Sequence, residues 1–130
     1  AEVTACHENT VASLKRTGFN FEINSKISNK NPFYEAYFCS NHKAAKLHSK
    51  TFDAPENPSQ DFIAIMTCDD ADKNCPIVYG CSNRFSLTYK DPKIYDDSEQ
   101  REKEYDNTSK KIATEIFYVF SKIKNNDNRK

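Results

Sequence analysis

The stretch Asp61-Phe-Ile-Ala-Ile-Met-Thr-Cys68-Asp-Asp-Ala-Asp-Lys-Asn-Cys75-Pro76 decides how the rest of the chain is read. Its apolar run, Phe62 to Met66, lacks polar alternation and stops at a polar segment bounded by two cysteines. A run of that length predicts a strand buried on both faces, as in a parallel sheet. In open α/β sheets the chemistry sits just beyond the carboxyl ends of such strands. Cys68 falls at that end, and Cys75 follows within a short polar loop or helical turn. Both thiols are placed to react.

Working outward, Pro76 and Gly80 punctuate the path to a second strand, predicted over Arg84 to Tyr89. That strand runs into Lys90-Asp91-Pro92, another boundary between strand and loop. The last element is a long helix that Asp97 or Ser98 can cap, with acidic residues in its first turns. Tyr105, Ile112, Ile116, Phe120 and Ile123 recur at helical spacing and predict a stripe packed along one face of the sheet. Towards the N-terminus, the stretch from His7 to Gly18 has helix character, with His7 as a candidate cap and Gly18 as a natural stop. Phe19, Phe21 and Ile23 then alternate with polar residues, and Phe33 to Phe38 does the same after Pro32. The two runs predict a hairpin with a long loop over 24–31. Residues 39–60 read as irregular, with His42 and His48 on the surface.

The bulk properties narrow the classes of function. The chain has 130 residues, which fits one domain with its own core. Its 19 basic and 19 acidic residues cancel, so net charge points neither to nucleic acid nor to an anionic membrane. No apolar run is long enough to span a bilayer, and no secretory signal is visible. Five cysteines form no regular framework, which favours a reducing, cytoplasmic setting with some reactive thiols. No C-x-x-C pair is present, so no metal is expected. Nor does any motif require a cofactor.

Two motifs carry chemistry, and each has a plainer reading. The plainer reading of Cys68 and Cys75 is a pair of partly buried structural thiols, because cysteine buries as a small hydrophobe. The segment between them is polar, however. If it is a helical turn, seven residues separate the Cα atoms by about 10 Å. A disulfide needs less than about 7 Å. Joining the pair then requires the turn to unwind, which is the behaviour of a redox switch. Asp91-Pro92 is either an ordinary turn start or a general acid at a strand end.

Taken together, these residues resemble the low-molecular-weight tyrosine phosphatase superfamily, and more closely its thioredoxin-coupled arsenate reductase branch. Asn9-Thr-Val-Ala-Ser-Leu-Lys-Arg-Thr-Gly-Phe19 resembles the family's second helix. Ala64-Ile-Met-Thr-Cys68 through Cys75-Pro76 resembles the redox segment after its third strand. Leu87 to Asp91-Pro92 resembles its general-acid loop, and the helix from residue 98 its last helix. The resemblance implies a phosphatase-like open parallel sheet with flanking helices and an inserted hairpin. It also implies a relay. A thiolate in a phosphate-binding loop attacks arsenate, Asp91 protonates the departing oxygen, Cys68 resolves the adduct, and Cys75 carries the disulfide to a thioredoxin-like reductant.

The family's nucleophile lies in C-x5-R after the first, central strand. Here the sixth positions after Cys6, Cys39, Cys68, Cys75 and Cys81 are Ala12, Ala45, Asn74, Cys81 and Leu87, and none is Arg. The expectation is therefore the C-terminal portion of a longer oxyanion-handling enzyme, silent without its phosphate-binding loop, with arsenate or a phosphate ester as the parent's substrate. A partner chain that supplies the missing strand is a second expectation. A phosphotyrosine-type parent that uses Asp91 alone, and a non-catalytic redox or interaction module, complete the set.

Overall fold

The computed structural model describes residues 3–24, 30–68 and 77–127. The chain is mixed α/β, in the order α1 (Glu8–Arg16), β1 (Asn20–Asn24), β2 (Phe33–Tyr37), β3 (Ala45–Leu47), β4 (Phe62–Met66), β5 (Cys81–Ser86), a 3-10 turn (Pro92–Tyr95) and α2 (Arg101–Asp127). The strands form two separate sheets, β1-β2-β3 and β4-β5.

Both ends of α1 follow from its sequence. His7 is extended and its Nδ1 accepts from the Asn9 N–H at 3.3 Å, which satisfies one of the helix's free donors. At the other end Gly18 takes φ +103°. Its N–H donates to the Lys15 carbonyl, and the Phe19 N–H reaches back to that of Leu14 at 3.1 Å. This double closure needs a left-handed residue, which glycine supplies without a steric cost.

The antiparallel sheet contains the expected hairpin and one strand more. Residues Asn20 to Asn24 of β1 pair with Tyr37 to Phe33 of β2. That register puts Phe21, Ile23, Tyr34 and Ala36 on one face, where the Phe21 and Tyr34 rings meet edge to face at 6.3 Å. β3 pairs with the other edge of β2, aligning Leu47 with Tyr34 and Lys46 with Glu35. It falls inside the stretch predicted irregular, because three residues are too few to show a period. Opposite charges at Glu35 and Lys46 favour the register. His48 follows directly and is not a surface residue. Its side chain is 8 % exposed, it stacks on Phe33 at 4.1 Å, and Nε2 lies 3.5 Å from Glu56. His42 is exposed as expected.

β4 and β5 are parallel, with Ile63 to Met66 aligned on Asn83 to Ser86. β5 begins earlier than the predicted strand. The pairing nevertheless continues past both strands, since the N–H groups of Leu87 and Tyr89 donate to the carbonyls of Met66 and Thr67 at 2.9 Å each. β4 is not buried on both faces. Ala64 and Met66 are buried, whereas Ile63 and Ile65 remain 57 % and 40 % exposed. The run lacks polar alternation because both of its faces are apolar, but only one is covered among the described residues.

α2 packs mainly on α1 and on the 3-10 turn, where a sheet face was expected. Its start is set by Ser98, whose Oγ accepts from the Gln100 N–H. Two polar clasps hold the helices together. Asp106 accepts from the Ser13 hydroxyl at 2.6 Å and from Arg16 Nε and Nη2 at 2.9 and 2.8 Å. One turn away, Asp96 accepts from the Tyr105 hydroxyl at 2.8 Å and from Asn9 Nδ2 at 2.9 Å, with His7 Nε2 at 3.3 Å. The His7 and Tyr105 rings stack with centroids 5.9 Å apart.

Candidate functional site

The parallel pairing of β4 and β5 delivers two of the expected site residues to one end of the small sheet. Cys68 follows Thr67, whose carbonyl is still bonded to Tyr89. Asp91 follows Tyr89 by two residues. Both leave the carboxyl ends of adjacent parallel strands, the position at which open α/β sheets hold their ligands. Cys68 is exposed. Cys75, the second half of the pair, lies outside the described residues, as does the rest of the segment 69–76.

Asp91 has a structural task. It caps the 3-10 turn, its Oδ1 accepting from the Lys93 N–H at 2.9 Å with Pro92 at the first position. That is the turn chemistry the Asp-Pro pair suggests. Asp91 also lines a cavity of ≈ 1070 Å³ between α1 and α2, together with His7, Leu14, Phe19, Tyr105 and Ile116. Cys68 is not among the residues that line it. The two expected residues thus share a sheet end, but only Asp91 faces the cavity.

Two phenols near the helices, Tyr105 and Tyr89, each donate to a carboxylate, of Asp96 and Glu115 respectively. Burial, and then the bond to Asp96, push the Tyr105 hydroxyl up to about 12. Burial, and then a 2.6 Å bond to Glu115, do the same for Tyr89. For Asp96, burial acts upward, but the bonds from Tyr105 and Asn9 and the nearby His7 outweigh it and leave the carboxyl below its usual range. Asp106 is also held low, first by Arg16 and then by Ser13. None of the Asp96 partners was singled out for this role from sequence. Asp96 sits in a mixed acidic run with nothing to distinguish it from Asp97.

The two phenols give a test of this arrangement. A tyrosine whose folded pKa is raised favours the neutral form, so its contribution is complete below the unfolded value of about 10. The contribution is then lost as pH rises through about 12. In an alkaline titration, ultraviolet phenolate absorption should lag behind that of the urea-unfolded chain, and the missing part should appear together with loss of helix signal. Full phenolate absorption from an intact fold at about pH 11 would contradict the arrangement.

Among the described residues, no group of three or more His, Cys, Asp or Glu side chains is placed to hold a metal ion. No described helix is long and apolar enough to cross a membrane. The other cysteines are dispersed. Cys81 opens β5 at the far end of the sheet, Cys39 is exposed in the turn after β2, and Cys6 precedes α1, where burial pushes its thiol up. Compared with known proteins, the chain matches no family model, no curated protein and no solved structure.

Proposed function

We propose that this chain is part of an arsenate-reductase-like, oxyanion-handling enzyme of the phosphatase superfamily, with Cys68 and Cys75 as the resolving end of a thiol relay and Asp91 as its general acid. The observation that carries this reading is the parallel register of β4 and β5, from whose common end an exposed thiol and an Asp-Pro turn both emerge. Among the described residues one face of β4, with Ile63 and Ile65, is left uncovered and one side of the strand has no partner. Both suit a sheet that continues into a further parallel strand, since parallel sheets are normally covered on both faces. Such a strand would bring the C-x5-R loop that this sequence lacks.

In this scheme the loop thiolate adds to arsenate, and Asp91 gives a proton to the oxygen that leaves as water. Cys68, as thiolate, then attacks the sulfur of the arsenic–thiol adduct. A disulfide forms, the electron pair of the sulfur–arsenic bond stays on arsenic, and arsenite leaves. Cys75 next attacks Cys68, which frees the first thiol and leaves a Cys68–Cys75 disulfide. A thioredoxin-like dithiol reduces that bond by the same exchange chemistry.

The coupling of the two thiols tests the reading without the missing loop. Mild oxidation followed by peptide mapping should show Cys68 and Cys75 protected from alkylation together and linked to each other. Thioredoxin should restore both, and Cys68→Ser should leave Cys75 open. If the two are never linked, the relay fails. The chain by itself should not reduce arsenate. Turnover that survives Cys68→Ser would overturn the assignment outright.

A further inference from the structure

Cys39 and His42 form a second thiol centre, on a different sheet from Cys68. The segment Cys39-Ser40-Asn41-His42 turns back after β2 and is closed by the His42 N–H donating to the Cys39 carbonyl at 3.4 Å. Such a turn brings its first and last residues together. Here Cys39 Sγ lies 2.9 Å from His42 Nδ1. Both side chains are exposed. The ring of Phe38, just before the turn, has its centroid 5.5 Å from that of Phe19.

A thiol within reach of an imidazole nitrogen is a nucleophile with its base in place. Only the thiolate attacks, and an exposed thiolate meets small electrophiles freely. We propose that Cys39 and His42 are a thiol-exchange site for low-molecular-weight disulfides, glutathione disulfide being the type. His42 Nδ1 takes the proton of Cys39. The thiolate attacks one sulfur of the disulfide, and the bond between its two sulfurs breaks. The departing thiolate recovers the proton from the imidazolium. Cys39 ends as a mixed disulfide with one half of the reagent, the other half leaves as the thiol, and the small disulfide is the oxidant consumed. The exposed Lys43, next in sequence, adds a positive charge that suits carboxylate-bearing disulfides. The site is independent of the relay at Cys68.

Exchange rates measured cysteine by cysteine test the proposal. The folded chain is treated with glutathione disulfide, quenched with acid and mapped by mass spectrometry, alongside the same chain unfolded in urea. Cys39 should react about tenfold faster folded than unfolded, a modest share of what a positioned base supplies. His42→Gln should remove that advantage and leave the rate at Cys68 unchanged. His42→Asn serves as the second variant, with far-ultraviolet circular dichroism to verify the fold of each. A folded rate at Cys39 no higher than the unfolded one overturns the proposal. So does a Cys39 rate indifferent to both substitutions, or a loss that Cys68 shares equally.

Discussion

Tyr105→Ala is expected to cost about 3 kcal/mol of stability, at the lower end of the range for removing a buried aromatic side chain. Tyr105 is 5 % exposed and stands where α1, the 3-10 turn and α2 meet. Truncation removes the ring that stacks on His7 and the hydroxyl that donates to Asp96. It also opens the site into the existing cavity, so neighbours have little to collapse against. Tyr105→Phe isolates the polar part and should cost about 1 kcal/mol, the usual net worth of one hydrogen bond. Urea denaturation decides the matter, through a lowered midpoint at unchanged slope. Equal losses from the two substitutions would mean that the hydroxyl, and not the ring, holds the helices together.

Gly80→Ala should be comparably damaging, for a different reason. Gly80 has φ +83°, and a Cβ there would be driven into the backbone carbonyl of Ser59. The strained backbone and the forced displacement together should cost about 3 kcal/mol. Neither cost can be relieved by turning a side chain, because the obstacle is backbone. The Gly80 carbonyl also receives the Asp61 N–H at 2.9 Å, so any shift pulls on the start of β4. Gly18→Ala is the matched control: φ is +103° but no atom lies within 4 Å of the added carbon. It should cost about 1 kcal/mol, the conformational penalty alone. If both glycines respond alike in urea denaturation, the close approach of residues 59 and 80 is wrong.

The parts of this fold that could be read from sequence are those fixed by local chemistry. His7 and Gly18 bound α1 because a side-chain acceptor and a left-handed residue are needed at those points, and few residue types serve. The hairpin of β1 and β2 shows as alternation because one of its faces is apolar. What sequence did not reveal depends on neighbours that are distant along the chain. β3 exists because β2 offers it an edge, and the His48 side chain is covered because Phe33 lies beside it. Nothing in Phe62 to Met66 distinguishes a covered apolar face from a bare one. The site divides in the same way. The Asp-Pro turn and the exposure of Cys68 follow from their sequence surroundings. The Asp96 network joins Asn9, Tyr105 and His7 across nearly a hundred residues and leaves no trace in any short window.

α2 spans 27 residues, or about 40 Å, yet its packing is concentrated in the first half. Tyr105 and Asp106 hold its opening turns, and Glu115 is bonded to Tyr89 near its middle. Beyond that point Phe117, Tyr118, Phe120 and Ile123 all stand exposed, with Phe117 at 76 %. Aromatic and β-branched side chains are poor helix formers when nothing packs on them. Hydrogen exchange is therefore expected to divide the helix in two, with amides of the near half opening only with the domain and those around Phe117 to Ile123 opening earlier, by local fraying.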